Sequence, residues 1–99
     1  MSSEVVSMIH KDSYIDSDFN RIVGLELKRI REEHGLSLEE LSNKLKKKVS
    51  RQTLSTYEFG RSKIRIDTFI DICEALGLSA NDVYEDINIK YIKSSKLGG

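Results

Sequence analysis

The chain has 99 residues, with 16 Lys and Arg against 16 Asp and Glu, and it is 38% hydrophobic and 32% charged. These figures describe one soluble domain with one modest core. They exclude a membrane span, for which roughly 18 consecutive apolar residues are needed; a single cysteine, Cys73, excludes an intramolecular disulfide, and a cytoplasmic protein is expected.

Charge is laid out in blocks. Residues 1–20 carry one Lys against four acids, residues 21–65 twelve bases against six acids, residues 66–89 six acids and no base, and residues 90–99 three Lys. From Lys44 to Arg65 there are eight bases against Glu58 alone. Such a run is felt by polyanions within a Debye length, about 8–10 Å. The alternative is a solvated basic face with no partner.

Taken in chain order, residues 1–20 hold Val5, Val6, Met8, Ile9, Tyr14, Ile15 and Phe19, too apolar for a disordered tail. An extra helix on the core or a dimer contact fits them. The first helix is predicted over about Arg21–His34, with Val23, Leu27 and Ile30 as its buried stripe. The second, about Leu38–Lys46, opens on a capping box: Ser37 caps, Glu40 reaches back, and Leu36 and Leu41 have staple spacing. Its stripe is Leu38, Leu41 and Leu45. Val49-Ser50…Leu54 repeats the apolar–cap–apolar pattern before a third helix, Arg51–Phe59, and Leu78-Ser79…Val83 repeats it before a fifth. Gly35, Gly60 and Gly77 suit the left-handed position that closes a helix. A fourth helix, about Ile66–Leu76, shows a stripe of Ile66, Phe69, Ile70, Cys73 and Leu76, with its acids on the far face as a solvated support. Residues 87–92, INIKYI, alternate in part; an edge strand pairing with a second copy and a continuation of the fifth helix both fit.

The third helix has an unusual surface. At about 100° per residue, Arg51, Gln52, Ser55, Thr56 and Phe59 share an arc of roughly 140°, and Leu54 and Tyr57 lie on the other side. A helix built for solubility carries Glu and Lys on such an arc. Arg forks onto guanine O6 and N7, and Gln onto adenine N6 and N7. Ser55 and Thr56 are short enough for close approach, and a threonine methyl can meet a thymine methyl. A plain polar surface is the competing reading.

The run VGLELKRIREEHGLSLEELSNKL, followed by VSRQTLSTYEFGR and IDTFIDICEALGLSANDVYE, resembles the lambda-repressor-like, Cro-type (XRE) helix-turn-helix family across about residues 22–86. The resemblance implies an all-α, five-helix DNA-binding domain at 21–86, with an N-terminal extension at 1–20 and a C-terminal one at 87–99. The third helix would lie in the major groove of double-stranded DNA. On that resemblance Arg51, Gln52, Ser55 and Thr56 are base-reading positions. Ser50, Thr53, Arg61 and Lys63 are phosphate contacts that position without specifying. Arg31 and Glu58 are a structural ion pair tying the first helix to the end of the third. The sequence departs from the family in three places. Leu38 stands where Gln is common and is expected to join the core. Lys46-Lys47-Lys48 replace a short glycine turn, either as a further turn of the second helix or as an enlarged loop, with their ammonium groups on phosphates or solvated. SKIRID lacks the usual Pro-Ser, and Arg65 there adds a cation toward the minor groove.

These readings lead to a sequence-specific regulator of transcription, a repressor acting as a homodimer on a two-fold operator. The other reading is an antitoxin or similar helical module whose termini hold a protein partner. No membrane partner, cofactor, metal or catalytic residue is expected. His10 and His34 have no spaced ligand set, and Cys73 lies on an apolar stripe.

Overall fold

Helix ends written locally in the sequence set the architecture. The computed structural model describes the backbone of residues 2–98 and the side chains of residues 18–94. Among the described residues it holds five helices and no strand: α1 Ser2–Glu33, α2 Leu38–Lys44, α3 Arg51–Glu58, α4 Ile66–Ala75 and α5 Ala80–Gly98. None is long and apolar enough to cross a membrane.

The predicted capping box is present. Ser37 Oγ accepts from the Glu40 amide at 3.0 Å, and the Glu40 carboxylate accepts from the Ser37 amide at 2.8 Å. Those bonds hold the Glu40 carboxyl below its usual range. Ser50 caps α3 by accepting from the Thr53 amide at 3.1 Å. Arg65 stands at the N-cap of α4 without a side-chain capping bond, since a guanidinium has no acceptor to offer an amide. Gly35, Gly60 and Gly77 all take positive φ.

The core gathers Val23, Leu27 and Ile30 of α1, Leu41 and Leu45, Leu54 of α3, Phe69, Ile72, Cys73 and Leu76 of α4, and Val83 and Ile87 of α5. Burial pushes the Cys73 thiol up to about 11, which keeps it protonated and inert at neutral pH. Leu38 packs partly buried against this core.

Three expectations change. The stripe of α4 is rotated: Ile72 is 1% exposed, whereas Ile66 is 69% and Ile70 40% exposed. Phe69, Ile72, Cys73 and Leu76 follow the i, i+3, i+4, i+7 spacing that meets the core, and Ile66 and Ile70 fall at its edge. Of the acids of α4, Asp71 is buried rather than solvated, while Asp67 and Glu74 remain at the surface. Of the two readings of 87–92, the edge strand falls and the continuation of the fifth helix stands. Val83, Ile87 and Tyr91 recur every four residues, so a helix lays all three on one inward face. Ile87 is fully buried, and the Tyr91 ring meets Phe19 edge-on at 5.3 Å.

α1 also begins earlier than predicted. Residues 21 and 86 fall inside unbroken helices. The apolar residues Val5 to Ile15 lie where side chains are not described.

Candidate nucleic-acid interface

α3 is held from behind and open in front. Leu54 is 2% exposed, Glu58 is buried and Tyr57 half-buried, which fixes the inner side of the helix. Arg51, Gln52 and Phe59 are exposed on the other side, with Ser55 and Thr56 half-buried between them. Thr56 Oγ1 donates to the Gln52 carbonyl at 2.9 Å. Ser50 and Thr53 are joined hydroxyl to hydroxyl at 3.0 Å at the mouth of the helix. Both hydroxyls are thus engaged at the cap.

Two contacts seat α3 on α1. Arg31 forks onto Glu58, Nε to Oε2 at 2.7 Å and Nη2 to Oε1 at 3.0 Å, and its third donor, Nη1, reaches the Leu36 carbonyl at 2.7 Å. Both side chains are nearly buried, at 10% and 7% exposure. The Glu58 carboxylate holds the Arg31 guanidinium above its ordinary range. The second contact is steric. A Cβ on Gly24 would strike the Tyr57 carbonyl oxygen and lie 2.5 Å from that of Glu58. At the next turn Gly60, with φ +69°, passes Arg21 so closely that its Cβ would sit 2.6 Å from the Arg21 Cα.

The basic segments bracket α3. Arg61 lies over the Phe59 ring at 5.1 Å and Lys28 over it at 5.9 Å, so an exposed aromatic residue is flanked by two cations. Sequence reasoning placed Phe59 on the arc but gave it and Lys28 no part; the 62% exposure of the ring is the signal that marks it. Lys48 and Lys63 are exposed.

Lys46, Lys47 and Arg65 each meet a carboxylate of α4. Lys46–Lys48 form a loop, because α2 ends at Lys44 and Leu45 is extended. Lys47 Nζ meets Asp67 at 2.6 Å, Lys46 Nζ meets Glu74 at 3.3 Å, and Arg65 Nε meets Asp67 at 3.3 Å. Lys47 is the main cause that pulls the Asp67 carboxyl down to about 2. The loops before and after α3 thus converge on one carboxylate of α4. Asp71 was missed by sequence reasoning. One of its oxygens accepts from the Lys46 amide at 3.1 Å and the other from the Lys47 amide at 3.0 Å. Nothing local in residues 66–76 signals a partner 24 or 25 positions upstream.

Among the described residues no cluster of His, Cys, Asp and Glu could hold a metal ion. The surface so built is a short polar helix face with cations on both flanks, suited to hydrogen-bonding in a groove and to neutralising phosphates.

Comparison with known proteins gives one family and one set of structures. The family model described as Helix-turn-helix matches residues 27–83. No curated protein matches the chain. Among solved structures, one of the clp gene regulator ClgR from Corynebacterium glutamicum is 26% identical with a TM-score of 0.71, covering 81% of this chain and 83% of that one. A second ClgR structure from C. glutamicum is 29% identical with a TM-score of 0.65, covering 73% and 91%.

Proposed function

The chain belongs to the lambda-repressor-like helix-turn-helix family, and from that membership we propose a transcriptional regulator that binds duplex DNA through the outer face of α3. The observation that carries this reading is the arc of Arg51, Gln52, Ser55 and Thr56, left open on a helix whose opposite side is locked to α1. A regulator of gene expression among its structural relatives supports the class. In this reading Arg51 and Gln52 read base edges. Ser50, Thr53, Lys48, Arg61 and Lys63 grip phosphates, and Lys46, Lys47 and Arg65 join them. The protein acts as a repressor, by covering a promoter.

A helix with two turns of open surface reads few base pairs, so a homodimer on two half-sites about 34 Å apart supplies the missing specificity. Ile66, Ile70 and Tyr84 remain 69%, 40% and 49% exposed around an apolar groove floored by Phe69. That groove supports a protein contact, with a second copy as its first candidate. An antitoxin-like module whose termini hold a different protein is the second reading.

Selection of bound sites from random duplexes tests both. A two-fold motif is expected, with affinity falling steeply as salt rises. Arg51→Ala is expected to cost about 1–3 kcal/mol and to relax choice at one position of the motif. Equal losses on cognate and random DNA would remove Arg51 from base reading. No enrichment, together with a co-purifying protein, would favour the second reading.

A further inference from the structure

The basic loops and the acidic helix α4 are interlocked, and the interlock has two grades of strength. Asp71, 8% exposed, bonds two loop amides with its two oxygens, and Ser42 Oγ donates to the Val49 carbonyl at 2.5 Å at the loop's other end. These bonds fix the loop's backbone. The ammonium contacts are of another kind. Lys46 and Lys47 remain 80% and 67% exposed, Arg65 81%, and their acids Glu74 and Asp67 54% and 38%. Exposed pairs of this kind are weak and are screened by salt, so another anion can compete for the cation.

We propose that Asp67 and Glu74 are internal counterions for the loop cations beside α3, occupying Lys47, Arg65 and Lys46 until DNA phosphates displace them. The proposal rests on the DNA-binding reading and adds how its grip is set. Eight bases between Lys44 and Arg65 would by themselves hold any duplex tightly. Carboxylates placed on three of those cations make each phosphate contact an exchange rather than a net gain. They restrain the sequence-independent part of binding and leave the base-reading arc untouched. Asp67 is placed to act on both loops at once, since Lys47 precedes α3 and Arg65 follows it.

A double-mutant cycle on random duplex DNA tests this, with thermal melts confirming that each variant is folded. Lys47→Ala is expected to weaken binding about twofold or less in the native background and about three- to tenfold in the Asp67→Asn background. Asp67→Asn alone is expected to tighten binding and to steepen the salt dependence by about one phosphate's worth, a slope change of about 0.9. The cycle of Lys46→Ala with Glu74→Gln gives a second, independent reading of the same exchange. Equal losses for Lys47→Ala in the two backgrounds overturn the proposal, even if Asp67→Asn steepens the slope, because any deleted acid does that. If the native chain binds duplex and both cycles are additive, the counterion proposal falls and the DNA-binding reading stands. If the native chain holds no duplex even at low salt, both fall.

Discussion

At the scale of single residues, the Arg31–Glu58 pair is the most consequential contact. It is buried, bidentate and completed by a third bond to the Leu36 carbonyl, so each charge depends on the other to remain inside. Removing one partner strands the other, and that cost exceeds the attraction lost. Glu58→Ala is expected to lower the unfolding free energy by about 3–5 kcal/mol, read from urea titration. Replacing both residues together, Arg31→Met with Glu58→Leu, is expected to be much milder. Equal destabilisation by the single and double variants would refute a stranded charge as the cause. Arg31, Glu58 and the open arc were legible in the sequence because a motif and a helical wheel are local or family-wide patterns. Phe59 was only half legible: its position on the arc follows from spacing, but its exposure depends on what α1 leaves uncovered.

At the scale of elements, the seating of α3 on α1 decides where the arc points. Gly24 allows the backbone of α3 to approach α1 directly, with the Glu58 carbonyl oxygen 2.5 Å from where a Cβ would be. Alanine there gains helix propensity of about 1 kcal/mol, but the clash is with backbone and cannot be relieved by a rotamer. Gly24→Ala is therefore expected to destabilise the fold by a net 1–3 kcal/mol or so and to weaken DNA binding more than its melting temperature alone suggests, since α3 must tilt. Thermal melting and fluorescence anisotropy on one preparation check this, and an unchanged melting temperature would refute it. Helix starts were readable because a cap is a contact between neighbours three residues apart. Of the face that α4 buries, Phe69, Cys73 and Leu76 were readable and Ile72 was not, since Ile66, Ile70 and Ile72 have similar side chains and only the packed neighbours choose among them.

At the scale of the whole molecule, segregated charge is cancelled across space. Lys46 and Lys47 meet the acids of α4, and Lys90 of α5 meets Glu26 of α1 at 2.5 Å. Glu26, 3% exposed, is held below the ordinary carboxylate range first by Arg29 and then by Lys90. Asp67 is held down to about 2. A carboxyl whose folded pKa is lowered stabilises the native state above its unfolded pKa and loses that contribution as pH falls through the folded one. Stability is thus expected to hold from pH 7 to about 4.5 and to fall from there toward pH 2. Glu26→Gln is expected to be less stable than the native chain at pH 7, and the gap should narrow below pH 4. Urea midpoints at pH 7, 4.5 and 3 measure it, and a gap of constant size would exclude Glu26 as a source of the acid sensitivity.

By itself the sequence determined the five helices, their caps, the closing glycines and the polar arc of α3. Each of these depends on residues within about one turn of one another, where backbone geometry leaves few choices. Only the tertiary structure decided that Asp71 clasps the lysine loop, that Asp67 joins the segments on either side of α3, that Glu26 sits between Arg29 and Lys90, and that INIKYI winds on as helix. The hydrogen bonds from the loop amides to Asp71 and from Lys90 to Glu26 span 24, 25 and 64 positions, and no local preference encodes which distant partner a carboxylate will meet once the core has closed.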